Sequence, residues 1–142
     1  MIQSHTPRAW VSAVLLAVTC AAHAGEPAPL RWTSPTEGGR FRVTIRPVDA
    51  GPIPIGRFHA WRVRVTDIKG RPIDTARITV GGGMEGHGHG LPTAPRVTRA
   101  LGSGESLIEG IKFTMSGEWT LVLVIQDAGV KETAQFRINV EY

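Results

Sequence analysis

Residues 119–126 run WTLVLVIQ, and this segment is apolar on both of its alternating faces. Such a pattern predicts a β-strand in the middle of a sheet, with both faces covered. A Ser116-Gly117 turn precedes it, and an Asp127-Ala128-Gly129 turn follows it. The chain then continues into a strand in which alternate residues from Ala134 to Val140 are apolar. A central strand bounded by two tight turns is the starting point for an all-β interpretation.

The rest of the chain repeats the period of two that marks half-buried strands. No segment beyond residue 24 has the 3.6-residue period of a helix, and about seven strands at spacings of about 8–12 residues predict a β-sandwich. The third strand is expected to end at Val80, before a glycine-rich loop over residues 81–90. The predicted inward-facing sets are Phe41, Val43 and Ile45; Trp61, Val63 and Val65; Ala76, Ile78 and Val80; and Leu107, Ile111, Phe113 and Met115.

The N-terminus has the organisation of a secretory signal peptide. An apolar run over residues 11–21 ends in Ala22-His23-Ala24, which predicts cleavage after Ala24 and a periplasmic or secreted protein. The run is shorter than the roughly 20 apolar residues needed to span a bilayer. Two alternatives are an uncleaved N-terminal anchor and a lipoprotein modified on Cys20, although Ala17-Val18-Thr19 before the cysteine is a poor lipobox.

Composition narrows the remaining function classes. Residues 25–38 are predicted to be an extended N-terminal segment, and residues 39–142 a single domain with no transmembrane span. The only cysteine is Cys20, so the processed chain has no disulfide, thiolate nucleophile or cysteine metal ligand. A net charge of +4 without a basic run argues against nucleic-acid binding. No catalytic triad, carboxylate pair or phosphate loop stands out, so no enzymatic activity is predicted.

One segment concentrates metal ligands: Met84-Glu85-Gly86-His87-Gly88-His89-Gly90. Imidazole and thioether are donors that suit copper, and methionine selects Cu(I). The intervening glycines allow the backbone to turn so that the donors converge. Zinc is the competing metal, but methionine rarely binds it. The alternative is a solvated crossover loop that binds no metal.

Two residues elsewhere are candidates for a fourth ligand. His59 shares the inward parity of Trp61, and Met115 ends the apolar series of its strand beside the Ser116-Gly117 turn. Each also fits a simpler role, His59 as a hydrogen-bonded core histidine and Met115 as a gap-filling core residue.

The chain resembles the YtkA-like, FixH-like group of small exported bacterial proteins. The resemblance lies in His59-Ala60-Trp61, Gly70-Arg71-Pro72-Ile73, the segment from Met84 to Thr98 and Phe113-x-Met115-x-Gly117-x-Trp119. It implies an immunoglobulin-like sandwich, and its FixH side is associated with copper supply to haem–copper oxidases. The expected function is therefore non-enzymatic copper binding or handling, with an extracytoplasmic protein partner in metal delivery. The alternative is a metal-free, immunoglobulin-like interaction module of an extracytoplasmic complex.

Overall fold

The computed structural model describes residues 29–141, which form an all-β fold with a single 3₁₀ turn at Glu85–His87. The predicted leader, Cys20 and the cleavage position after Ala24 lie outside the described residues. No helix between residues 29 and 141 has the length and hydropathy needed to cross a bilayer. The strands are β1 (Trp32–Pro35), β2 (Phe41–Pro47), β3 (Phe58–Asp67), β4 (Arg77–Met84), β5 (His89–Gly90), β6 (Arg96–Gly102), β7 (Glu105–Lys112), β8 (Gly117–Asp127) and β9 (Val130–Val140).

All strand pairs are antiparallel, and the strands form one nearly closed sheet in the order β1-β2-β3-β7-β6-β4-β8-β9, with β5 paired to β4. The two ends of this order approach each other, where the Glu37 amide donates to the Thr133 carbonyl at 2.9 Å. Between β4 and β6 the ladder is a single pair, Thr79 opposite Arg96. The predicted all-β class is confirmed. The strand count is nine rather than about seven, because β1 and the short β5 were not predicted.

The alternating patterns predict the core correctly in most strands. The inward-facing residues of β2 and β3 are buried, as are those of β9. The predicted set Ala76, Ile78 and Val80, of which Ala76 lies just before β4, is half-buried against this core. Strand β8 lies between β4 and β9, as expected for an interior strand. Its outer face differs from the prediction, because Val122 and Val124 are only half-buried. The inner face of β8 carries Trp119, Leu121, Leu123 and Ile125 into the core.

Strand β7 contains a bulge that the sequence pattern did not reveal. His59 pairs with Ile111 and Ala60 with Glu109, so Gly110 is an extra residue without a partner in β3. Gly110 has φ +88°, a value that favours glycine. One extra residue reverses the parity of the strand, so Ile108 is buried whereas Leu107, predicted to share a face with Ile111, is only half-buried.

The glycine-rich segment is partly strand, so the prediction that the third strand ends at Val80 is wrong. Gly81, Gly82 and Gly83 pair with Val122, Leu121 and Thr120 of β8. A Cβ on Gly82 would overlap the Thr120 carbonyl, and one on Gly83 would overlap the His89 carbonyl. Glycine at these two positions therefore permits close backbone approach on either side of β4, which is a recognised use of glycine within strands.

The sheet also begins earlier than the predicted domain start at residue 39. Strand β1 pairs with β2, and the Trp32 ring stacks on Trp61 with centroids 5.4 Å apart. Thr36 is buried and its hydroxyl hydrogen-bonds Glu132. Part of the predicted extended segment is thus an integral strand.

Candidate metal centre

Two of the predicted donors lie opposite each other on neighbouring strands. The chain leaves β4 at Met84, reverses through the 3₁₀ turn and Gly88 at φ +66°, and returns as β5. The returning strand pairs Met84 with His89. Side chains of directly opposed residues in an antiparallel pair share one face, with Cβ atoms about 4.5–5.5 Å apart. The reversal therefore places the side chains of Met84 and His89 next to each other on one face of the strand pair.

The two histidines of the turn also lie close to each other. The rings of His87 and His89 have centroids 6.0 Å apart and an interplanar angle of 53°. Both side chains are exposed. The glycine-spaced pair therefore presents two exposed imidazoles at the same strand reversal.

The hydrogen bonding of His89 defines which ring nitrogen is available. Its Nδ1 lies 3.0 Å from the Gly90 carbonyl oxygen. Because a carbonyl only accepts, Nδ1 carries the proton in this contact, and the neutral ring keeps its lone pair on Nε2. A backbone carbonyl that holds one imidazole nitrogen while the other binds metal is a common arrangement in metalloproteins.

The sulfur donors occupy the same end of the fold but differ in exposure. Met84 is 4% exposed and belongs to the hydrophobic core, with its Cε against Gly117. Met115, half-buried, lies two residues before that glycine and packs against the same core. Both thioethers are therefore near the start of β8, where the sequence analysis expected Met115 to lie.

His59 lies apart from the turn histidines. It is buried at the start of β3, its Nε2 donates to the Pro54 carbonyl at 2.8 Å, and its ring contacts Phe113 with centroids 5.8 Å apart. Two aromatic rings, those of Phe113 and Trp119, connect it to His89. These are the contacts of a hydrogen-bonded core histidine, and they do not bring His59 to the other donors.

Trp119 is the neighbour of the site that the sequence analysis did not select. Its indole meets the His89 ring at a centroid distance of 5.5 Å and an interplanar angle of 65°. The available signal was its position just after the Ser116-Gly117 turn, but recognising it required the register of β4 on β8, in which Gly83 pairs with Thr120. The sequence analysis placed Trp119 in a central strand and in the Phe113-x-Met115-x-Gly117-x-Trp119 motif, without a role at the site.

The donor set limits the ions that fit. Within residues 29–141, no three His, Cys, Asp or Glu side chains cluster closely enough to hold a metal. The set is instead two imidazoles and one or two thioethers, beside an open groove of about 370 Å³ lined by Met84, Glu85, His89 and Thr120 among others. Hard cations prefer carboxylate and carbonyl oxygens, whereas this set of nitrogen and sulfur donors suits copper, and Cu(I) in particular.

Comparison with protein-family models, with curated proteins and with solved structures finds no match to this chain.

Proposed function

We propose that this protein is an exported, non-enzymatic copper-binding or copper-handling protein that holds the ion with Met84, His87 and His89. The observation that carries the proposal is the opposition of Met84 and His89 across β4 and β5, with the His87 ring 6.0 Å from the His89 ring. Nitrogen and sulfur donors at one strand reversal are a combination that soft ions favour.

The exposure of the two histidines suits a protein that exchanges its metal. Both rings are open to solvent, whereas the Met84 side chain is buried in the hydrophobic core. An ion held in this way is accessible to a partner that delivers or accepts it. The periplasmic location in this proposal is supported by the predicted leader over residues 1–24, and histidine and methionine, unlike cysteine, do not form disulfides in an oxidising compartment.

Met115 is the better candidate for an additional ligand. It lies beside the turn that contacts the Met84 methyl group, at the same end of the fold. His59 already uses Nε2 to bond the Pro54 carbonyl and is packed against Phe113. Recruiting His59 would require movement of a buried ring, whereas Met115 has a flexible side chain at the surface of the core.

We also propose that the sheet corresponds to the immunoglobulin-like sandwich of the YtkA-like, FixH-like proteins that the sequence resembles. Support comes from the single-residue pairing of β4 and β6. This weak seam divides the strands into a group containing β1, β2, β3, β7 and β6 and a group containing β5, β4, β8 and β9. An experimental structure in which the two groups pack face to face at about 10 Å would support the assignment.

A competition titration tests the copper proposal. The processed protein is purified after export and titrated with Cu(I) under reducing conditions against a chromophoric chelator, and separately with Cu(II) and Zn(II). The His87→Ala/His89→Ala variant should lose most of the Cu(I) affinity. His59→Gln is the matched control, since it removes a histidine outside the turn while keeping a donor for the Pro54 carbonyl, and it should bind like the unaltered protein.

Binding of Cu(I) no tighter than that of the double variant would reject the copper proposal and favour the metal-free interaction module. Thermal unfolding adds a second readout, because a ligand specific to the folded state raises the midpoint in proportion to the logarithm of its free concentration. This rise should be present in the control variant and absent in the double variant.

A further inference from the structure

We propose that the outer face of strands β2, β3, β7 and β6 is a membrane-docking surface that binds anionic phospholipid headgroups. The proposal goes beyond the proposed function, since it involves none of the candidate copper ligands. We call this surface the arginine face. Its principal cations are six arginines on three of the four strands: Arg42, Arg46, Arg62, Arg64, Arg96 and Arg99.

Strand register places the six arginines on one surface. In β2 and β3 the residues that alternate with the arginines are buried in the core, so the arginines point outward. In β6, Arg96 pairs with Glu109 and Arg99 with Leu107. Leu107 in turn pairs with Arg62 of β3, so the arginines of β6 continue the same face. All six side chains are exposed or half-buried.

The positive charge of the arginine face exceeds the negative charge of its own carboxylates. Within the four strands, the outward-facing carboxylates are Glu105 and Glu109, against six arginines. Among residues 29–141, one ion pair joins these groups, between Arg62 and Glu105 at 3.3 Å. The Glu109 carboxylate accepts a hydrogen bond from the Thr98 hydroxyl. The surface therefore carries excess positive charge that attracts an anionic partner.

The fold itself does not require charges at these positions. Arg46 lies directly opposite Arg62, and like charges in that arrangement destabilise a strand pair. Charged residues commonly protect the edge of a sheet, but β2 lies between β1 and β3, and β3 lies between β2 and β7. Opposed arginines in interior strands therefore indicate a surface for anions. Arginine suits phosphate in particular, because its guanidinium group forms paired hydrogen bonds with phosphate oxygens.

Apolar side chains at one end of the arginine face favour a bilayer over an acidic protein. Phe58 shares the outward parity of Arg62 and is 70% exposed. Val48 is 43% exposed, and its amide donates to the Ala60 carbonyl beside Phe58. The Lys112 amine lies 5.5 Å from the centroid of the Phe58 ring. Interfacial membrane segments likewise combine apolar side chains that enter the headgroup region with cations that contact anionic lipids.

The test measures binding of the processed protein to vesicles by sedimentation. Its mass is first checked, to confirm that it starts at residue 25 and carries no lipid. One set of vesicles contains phosphatidylethanolamine and phosphatidylglycerol, and the other contains phosphatidylcholine alone. Arg46→Gln/Arg64→Gln removes two charges of the arginine face that form no ion pair among residues 29–141. Arg77→Gln/Arg137→Gln is the matched control, because it removes the same charge from β4 and β9.

The unaltered protein should bind the anionic vesicles and not the neutral ones. Arg46→Gln/Arg64→Gln should bind them about 10- to 30-fold more weakly, because each arginine near an anionic surface contributes about fivefold. The control variant should bind like the unaltered protein, and near-UV circular dichroism should show that both variants are folded. Phe58→Ser should also weaken binding, since its ring would no longer enter the headgroup region.

Equal weakening in the arginine-face variant and the control would overturn the proposal, because net charge alone would then explain the binding. Failure of the unaltered protein to bind anionic vesicles would also overturn it. In that case, binding to polyglutamate that is lost in Arg46→Gln/Arg64→Gln would assign the face to an acidic protein partner. None of these outcomes depends on copper, so this test and the Cu(I) titration fail independently.

Salt dependence provides a second measurement that needs no variant. Raising NaCl from about 0.1 M to about 1 M shortens the range of charge interactions from about 10 Å to about 3 Å. The unaltered protein should then be released from the anionic vesicles. Retention at the higher concentration would contradict binding through the arginine face.

Discussion

Met84 lies directly opposite His89 in the antiparallel pair of β4 and β5. The backbone ladder, rather than a free loop, sets the relative position of the two side chains. Because Met84 is also a core residue, one side chain serves packing and the proposed metal site at once. These two roles are separable by substitution.

Replacing Met84 by leucine should keep the fold and weaken Cu(I) binding. Leucine has a similar volume, so unfolding free energy should fall by less than about 1.5 kcal/mol, whereas Met84→Ala should cost about 2–5 kcal/mol by leaving a cavity. Chemical denaturation measures the free energy of unfolding of both variants, and chelator competition measures the Cu(I) affinity of Met84→Leu. If Met84→Leu binds Cu(I) as tightly as the unaltered protein, the thioether of Met84 is not a ligand of the site.

The three consecutive glycines of β4 should respond differently to alanine. Gly81 has an ordinary φ and open space where a Cβ would lie, so Gly81→Ala should raise stability by about 0.5–1 kcal/mol. Gly82→Ala and Gly83→Ala should each lower it by more than about 2 kcal/mol, because the new Cβ meets a backbone carbonyl.

Urea denaturation of the three single variants tests this order. Gly83→Ala should in addition weaken Cu(I) binding, because its Cβ would displace the strand that carries His89. Equal stabilities for all three variants would contradict the paired strand over Gly81–Met84.

Asp67 should make the stability of the turn after β3 depend on pH. Burial opposes ionisation of its carboxyl group, but hydrogen bonds from the Arg71 amide and side chain and from the Lys69 amide outweigh that effect and lower its pKa. The unfolded chain therefore takes up a proton at a higher pH than the folded protein does. The stabilisation of the fold by ionised Asp67 is complete above the unfolded pKa of about 3.9. It is lost as the pH falls through the lower pKa of the folded state.

The variant Asp67→Asn should be less stable than the unaltered protein at neutral pH, and the difference should shrink below about pH 4. Thermal midpoints measured from pH 7 to pH 2 provide the test. Asp49→Asn, in the exposed loop after β2, is the control for loss of a negative charge. If the thermal midpoints of Asp67→Asn and the unaltered protein differ by the same amount over this whole pH range, the lowered pKa of Asp67 does not contribute to stability.

The N-terminal strand should be required for full stability. A chain that starts at residue 29 keeps β1, whereas a chain that starts at residue 39 loses the Trp32–Trp61 stack and the Thr36–Glu132 hydrogen bond. The shorter chain should be less stable by at least about 2 kcal/mol, since an aromatic pair alone contributes about 0.5–1.5 kcal/mol beyond its buried area. Equal denaturation midpoints for the two chains would show that the domain begins at residue 39.

Sequence pattern was most informative where strands are regular. Alternation in β2, β3 and β9 predicts their buried faces because side chains of an unbroken strand point to opposite faces in turn. The same rule misassigned Leu107 in β7, where one unpaired glycine reverses the parity and Ile108 is the buried residue instead. A bulge is a property of two paired strands, so a single strand's sequence does not reveal it.

The composition of residues 84–90 was enough to select Met84, His87 and His89 as candidate donors and to favour copper among metals. Their relative positions depend on tertiary structure, because strand pairing sets Met84 against His89, and the register of β4 on β8 brings Trp119 beside them. Residue type is local information that determines which ions are chemically suitable. Proximity between residues distant in the chain arises from backbone hydrogen bonds between strands, whose register depends on the whole core.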